Sequence, residues 1–567
     1  MRALAELDVL FLDAQATTSD PARGALLEIG WARGSAGAAG ELPVAKVTVQ
    51  VVAPPPGAVV PPAVVRLTGL RTAEWTLGMA PAQVWDSLRR AAERIAPPPV
   101  PVVVHFARFE EPFLRALHER HGSGPFPLDI VCTHAIACRL LPELPRRTLR
   151  ALAGYFGAAV PPLRRSADHV VATAFVWQRL VTLLVEREGV GDLAELREWL
   201  ARPARRSPRA FPLPRERRLE LPDRPGVYRL LRDGGAVLYV GKAASLRHRV
   251  SGHFHSRTGQ GERALEMLTQ ARDVSCSETE TALEAALLEA DEIKRLAPPF
   301  NVALSAAGRA VWFATADLRG LQERSDAEHT LGPLVSPAPV EALSALRAAL
   351  AARKPASLPL RARAVGVEPA YAPGPECFSA GLARFAHETG PTPSTRELLR
   401  LGGRLWARRR AANASVSAPA PDHGILEEPE APRRSAWDEE RVRQALEETV
   451  VRAGHAVRRA RWLVRLSECT LAWAEPGAET LRLLVIQGGA VAARADLVVG
   501  TPVPVPPGHA RSVAERRAAF DVATFDRLRV LTTELRVLAA GAGHVELRLG
   551  QNARLARRRL QAVLRWV

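Results

Sequence analysis

Lysine and cysteine are scarce in this chain, long apolar runs are missing, and each absence narrows the chemistry open to it. Only four of the 77 basic side chains are lysine. The five cysteines, Cys132, Cys138, Cys276, Cys377 and Cys469, are scattered with no CxxC pair. A structural zinc site, an iron–sulfur cluster and a disulfide framework all lack their usual spacing. No uninterrupted apolar run reaches membrane length, and the N-terminal MRALAELDVLFLDAQ carries acids within its apolar residues. A cytoplasmic protein with no membrane partner is expected.

What is present is arginine. Lys plus Arg exceeds Asp plus Glu by 77 to 60, a formal charge of +17. The guanidinium donates two parallel hydrogen bonds and stays charged, which suits phosphate and points to nucleic acid. A GC-rich genome would also enrich arginine, alanine, proline and valine. The chain has 567 residues, 47% apolar and 24% charged, so it can bury several cores and is expected to form three or four domains.

Proline and arginine punctuate the sequence. VVAPPPGAVVPP (51–62) and APPPVPVVV (96–104) read as loops inside a first domain, because periodic patterns resume at once. Boundaries are expected at 1–185, an Arg/Pro-rich linker at 186–218, 219–304, an α+β extension of unknown role at 305–415, a linker at 416–436, and an α+β domain at 437–567 for binding DNA or a partner. No repeat is visible.

In the first domain LDVLFLDAQ is an apolar strand ending at Asp13, and ALLEIGWA (25–32) is its hairpin partner. PVVVHFARFEEPFLRALHER (101–120) runs from a buried strand into a helix, and LRRSADHVVATAFVWQRLVTLL (163–184) is a further amphipathic helix. This order resembles the DnaQ-like (DEDD) exonucleases over residues 5–185. The places of that family's metal ligands and base read Asp13, Gln15, Glu110, Arg164 and His169. Two-metal hydrolysis needs several convergent carboxylates. Gln15 is neutral, an arginine at Arg164 cannot accept a proton, and His169 replaces an aspartate. A one-residue shift would offer Asp168, but adjacent helical residues diverge by about 100°. His105 reads as structural. The expectation is a vestigial site on a domain kept for fold, docking or DNA binding, with a weak or altered nuclease as the rival.

The second domain begins LPDRPGVYRLLRDGGAVLYVGKAASLRHRVSGHF (221–254), two short strands about an Asp-Gly-Gly turn and then a basic helix; TETALEAALLEADEIKRLAPPFNVAL (279–304) adds a strong helix that stops at its proline pair. The stretch closely resembles the GIY-YIG nuclease domain of UvrC-type excinucleases. The resemblance implies that Tyr228 or Tyr239 helps deprotonate the attacking water, with Lys242 as the cation that lowers a phenol's pKa. It further implies that Arg249 braces the scissile phosphate, Glu289 binds a single Mg2+ or Mn2+, and Asn301 fixes the phosphate region. His253 stands where many such domains carry a tyrosine. Gly226 and Gly241 also have a purely conformational reading.

No second nuclease and no helix-hairpin-helix repeats are visible, which implies one incision rather than two. The expected fold class is therefore multidomain α/β and α+β: an RNase H-like exonuclease fold, a small GIY-YIG α/β domain, and an α+β C-terminal region. The expected function is a single-strand incision in DNA repair, with damaged or branched DNA as substrate and a UvrB-type helicase as partner. A dual-activity nuclease and a non-catalytic DNA-binding adaptor are the alternatives.

Overall fold

The computed structural model describes residues 2–567 except 39–41, 56, 59, 159–162, 204–206, 256–260, 302–309, 353–354, 391, 415–436, 542 and 566. The chain forms two compact units, Met1–Ala285 with Pro298–Val302, and Ala286–Ala297 with Ala303–Val567.

The first unit opens with a five-stranded sheet of β1 (Val9–Ala16), β2 (Leu26–Gly34), β3 (Thr48–Val51), β4 (Val100–Val104) and β5 (Leu128–Cys132), ordered β3-β2-β1-β4-β5. The pairs β1–β2 and β2–β3 are antiparallel, while β4 lies parallel to β1 and to β5. With helices α1 (Ala107–His121), α2 (Leu149–Tyr155) and α3 (Ser166–Leu183) against it, this is the RNase H-like arrangement. Strand β1 is apolar on both faces because each face has its own core. Leu10, Leu12 and Ala14 pack with Trp85 and Val102, while Val9 and Phe11 pack with Val170 and Trp177 of α3. Alternation therefore sends Asp13 to the α3 face. The segment Ser166–Glu188 is long and apolar enough to cross a membrane, but Val176, Trp177 and Leu180 are spent in this core.

The Arg/Pro-rich segment expected as a linker at 186–218 is anchored at both ends. Leu196 and Trp199 of the helix Leu193–Ala201 join the first core, and Leu213 is buried in the next one. A helical stripe of two apolar residues three apart was hidden by the surrounding arginine and proline.

The rest of the first unit is a three-stranded antiparallel sheet, β6 (Gly226–Leu231), β7 (Val237–Ala243) and β8 (Asp273–Glu278), ordered β7-β6-β8. The Asp-Gly-Gly turn between β6 and β7 puts Gly234 and Gly235 at φ 79° and 83°, where a side chain would be strained. Helix α4 (Leu246–His255) follows β7, and α5 (Glu262–Gln270) precedes β8. Helix α6 (Ala282–Leu296) crosses from the first unit into the second.

The two sheets of the first unit are joined by a specific contact between α2 and α5. Arg150 pairs with Glu266 at 2.9 Å, both largely buried, and its guanidinium lies 4.7 Å from the centre of the Phe300 ring. The Arg146 backbone N–H donates to Thr269 at 3.1 Å; Arg272 covers the Tyr155 ring at 4.0 Å and donates to the Tyr155 carbonyl. Half-buried charge-assisted contacts of this kind fix orientation more than they add stability.

In the second unit a small sheet of β9 (Trp312–Ala314), β10 (Leu321–Gln322) and β11 (Leu331–Leu334) accompanies helices α7 (Ala338–Ala351), α8 (Leu358–Val365), α9 (Pro375–Thr389), α10 (Thr395–Ala414) and α11 (Glu439–Leu466). Val442, Leu446 and Val450 of α11 share one core with Val340, Leu346, Phe378 and Phe385. The expected division between 305–415 and 437–567 therefore does not separate two cores, and the linker expected at 416–436 lies outside the described residues. Beyond α11, β12 (Cys469–Ala474), β13 (Thr480–Gln487), β14 (Ala490–Val498), β15 (His544–Arg548) and β16 (Arg554–Ala556) form a sheet ordered β14-β13-β12-β15-β16. Helices α12 (Val513–Ala518), α13 (Val522–Ala540) and α14 (Arg557–Leu564) complete it. The second-unit part of α6 is held by Lys294, 3.0 Å from the fully buried Asp526, and by Asp291 against Arg527.

Candidate active site

The first sheet gathers four of the five residues expected at its vestigial centre, Asp13, Gln15, Glu110 and His169, and two of them bond Asp13. His169 Nδ1 lies 3.2 Å from Asp13 Oδ1, and the Gln15 amide donates to Asp13 Oδ2 at 2.9 Å. Burial pushes the His169 pKa down, but the Asp13 carboxylate and its hydrogen bond outweigh this and hold the imidazole above its ordinary value. Glu110 is buried beside Asp13, and burial followed by that charge pushes its carboxyl well above the usual range. Both effects favour its protonated form. His105 bonds Thr133 at 2.9 Å and is pushed down to about 3 by burial and then by His134, which fits a structural, uncharged role.

Arg164 is not part of this centre. It is exposed, and Arg165 turns inward instead, donating to the fully buried Glu28 at 2.8 Å and to Glu74 at 3.0 Å. Ser166 gives Glu28 two further hydrogen bonds, from its backbone N–H at 2.7 Å and its hydroxyl at 2.8 Å. Asp168 caps the start of α3 by accepting from the Arg165 backbone N–H, so the shifted register is excluded. Glu28 had no signal of its own in the sequence beyond a charged residue inside an apolar strand. Both oxygens of Asp13 are engaged by His169 and Gln15, and among the described residues no three His, Cys, Asp or Glu side chains are grouped to hold a metal. The donor set does not fit a two-metal centre.

The second sheet assembles a different constellation. Tyr228 is fully buried on β6, and its hydroxyl lies 2.6 Å from His253 Nε2 on α4. Tyr239 on β7 is half-buried, with ring centres 6.0 Å from Tyr228 and 6.2 Å from His253. Burial, and then the Arg249 charge, push His253 down to about 4. At neutral pH its ring is uncharged, and in the tautomer protonated at Nδ1 the Nε2 atom accepts the Tyr228 proton. Arg249 precedes His253 by four residues on α4, one turn along the same face, and is exposed, as is Lys242 at the end of β7. Gly241 makes the cluster possible: a Cβ there would stand 2.5 Å from the Tyr228 hydroxyl.

Asn301 takes a structural place. Its Oδ1 accepts from the Val240 N–H and its Nδ2 donates to the Val240 carbonyl, both at 2.9 Å. These two bonds hold the amide on β7 and leave its second N–H uncommitted to Val240. Glu289 is half-buried on α6. A lone carboxylate suits a hard divalent ion that keeps most of its water and takes its remaining ligands from phosphate.

Known proteins resemble parts of this chain. Residues 224–302 match the UvrC-like GIY-YIG domain model. A Mycobacterium tuberculosis protein, named as a candidate bifunctional exonuclease/endonuclease, is 36% identical over 264 residues, 46% of this chain and 39% of its own. The UvrABC system protein C of Rhizobium meliloti is 50% identical over 84 residues, 15% of this chain and 12% of its own. The chain thus covers well under half of either relative's length. A solved structure of the N-terminal endonuclease domain of UvrC from Thermotoga maritima, bound to magnesium, is 31% identical; the match covers 16% of this chain and 94% of that one, with a TM-score of 0.14. The chain joins an RNase H-like domain to a UvrC-like GIY-YIG nuclease domain at residues 224–302.

Proposed function

We propose that this chain cuts one strand of damaged or branched duplex DNA, using a single Mg2+ or Mn2+, in a repair reaction of the UvrC kind. The observation that carries the proposal is the Tyr228–His253–Tyr239 cluster with Arg249 one turn away on α4. Tyr239, partly exposed, gives up its own proton to solvent and as the phenolate contacts the attacking water and takes its proton. Tyr228 is a positioning residue: its O–H is committed to neutral His253, which fixes the ring against which Tyr239 packs. Arg249 meets the charge that builds on the phosphate oxygens. Lys242, exposed where β7 ends, lowers the cost of a phenolate nearby. Glu289 would hold the cation, which when bound stabilises the departing oxyanion.

The RNase H-like domain acts as a scaffold docked on the nuclease domain through Arg150 and Arg272. A second reading, a nick followed by 3′ trimming, draws on the name of the mycobacterial relative. One experiment separates them: magnesium-dependent nicking of a branched duplex together with release of mononucleotides from 3′ ends. Nicking that disappears in Glu289→Ala and Arg249→Ala but survives Asp13→Ala is expected; nicking that survives Glu289→Ala refutes the proposal. Mononucleotide release abolished by Asp13→Ala establishes the second reading. Delivery by a UvrB-type helicase is proposed on the same footing, and a pull-down against such a helicase tests it.

A further inference from the structure

Arginine is costly to bury and costlier to crowd. In the second unit Arg459 on α11 is only partly exposed and lies near Arg529 and Arg536 of α13. Burial, then those two like charges, push its pKa below the ordinary guanidinium value. Among the described residues neither Arg459 nor Arg529 has an acidic side chain within ion-pair distance. A guanidinium does not lose its proton at neutral pH, so the repulsion stands in the free protein. Buried charges are normally paired, so a half-buried one left among like charges gains from any anion that binds beside it.

The cluster has a cavity. It measures about 660 Å³ and is lined by Arg459, Arg536 and Arg565 together with Trp406 and His455. Trp406 on α10 packs at 5.8 Å, centre to centre, on His455 of α11, one turn before Arg459. Arg536 is held in place by donating to the carbonyls of Leu564 and Val567. The volume lies in the range that takes a small ligand such as one nucleotide. A second cavity, of about 530 Å³, opens beside α11 and is lined by Arg396, Arg400, Arg458 and Arg461. Arg461 in turn crowds Arg517 of α12, which burial and that neighbour push down in the same way.

We propose that α11 carries a binding site for single-stranded nucleic acid, with phosphates on Arg459, Arg529 and Arg461 and an unstacked base against Trp406. An aromatic wall in a cavity of one-nucleotide size is out of reach of a base inside a duplex and open to one in a single strand. Two arginine-lined cavities served by one helix suit a continuing backbone rather than an isolated nucleotide. The site lies wholly in the second unit and needs no cleavage, so it stands or falls separately from the incision chemistry.

The test is fluorescence anisotropy of a labelled oligothymidylate with the full chain in EDTA, over a salt series. Arg459→Ala and Arg529→Ala are each expected to weaken binding and lower the salt slope by about 0.7 per lost phosphate contact. Trp406→Ala is expected to weaken it roughly tenfold, with Trp406→Phe close to wild type. Because Arg459→Ala relieves like-charge crowding, it should melt no lower than wild type, which keeps a binding loss from being read as misfolding. Unchanged affinity and slope in both arginine variants overturn the site. Equal competition by thymidine monophosphate shows a free-nucleotide pocket and overturns the strand assignment, and equal affinity for duplex with no effect of Trp406→Ala overturns the base contact.

Discussion

Replacing His253 by alanine removes the hydrogen-bond partner 2.6 Å from the hydroxyl of a fully buried phenol, Tyr228. A neutral hydrogen bond contributes about 1 kcal/mol net, and removing one partner of a buried hydroxyl costs about 1–3 kcal/mol. If that penalty is carried into the transition state, the single-turnover nicking rate falls about 5- to 150-fold. Tyr228→Phe, which removes the donor, should fall by a similar factor. The double variant should be no worse than the poorer single one, because the two groups act as a pair. The pH dependence gives a second handle. With its pKa near 4, His253 stays uncharged through the physiological range, so its titration adds no acid limb near pH 6.5 to the wild-type rate profile. For stability the sign runs the other way from a salt-bridged histidine. The folded pKa is depressed, so as pH falls below about 6.5 the unfolded chain takes up a proton the folded chain refuses, and stability declines towards pH 4 by roughly 2–3 kcal/mol. His253→Gln should flatten that decline in pH-dependent melting of the full chain. A wild-type rate inflection near pH 6.5 that vanishes in His253→Gln, or strictly multiplicative losses in the double variant, would refute the pairing.

Gly241→Ala should abolish nicking while leaving far-UV dichroism near wild type, since a Cβ 2.5 Å from the Tyr228 hydroxyl must displace the ring; retained activity would show that the ring position is unimportant. Arg165→Ala leaves Glu28 fully buried with only its Ser166 donors, and breaking such a pair costs about 3 kcal/mol, seen as a fall of several degrees in Tm. His169 has a raised folded pKa, so its contribution is present below about pH 6.5 and is lost as pH rises through the folded value; Asp13→Asn should remove that loss in melting curves. Single and double alanine variants at Arg150 and Glu266 should show a coupling of about 1 kcal/mol in stability, and additive effects would deny the contact between α2 and α5 its fixing role.

The nuclease hairpin was legible because local chemistry fixes it. Apolar alternation on either side of an Asp-Gly-Gly turn specifies β6 and β7 whatever surrounds them, and Gly241 and the proline stop after α6 mark where backbone must pass closely or end. The resemblance to the GIY-YIG domain singled out Tyr228 and Tyr239, and the end of an apolar strand singled out Asp13. Amino-acid order alone also carried the +17 charge and its arginine bias. What it could not carry was the choice between neighbours on a helix or the partner of a polar group. Arg164 and Arg165 are adjacent arginines, and only packing against β2 decided that Arg165 turns in to Glu28 while Arg164 faces water. The pairing of the Asn301 amide with both backbone groups of Val240 had no signal in the sequence. Arg459 is one arginine among many in sequence, and it becomes a cation held among like charges only when α11 packs on α13. Pattern sets secondary structure because backbone preferences are local. Burial, charge pairing and pKa depend on which distant residues the tertiary fold brings within a few ångströms, and those decided which side chains are machinery and which are frame.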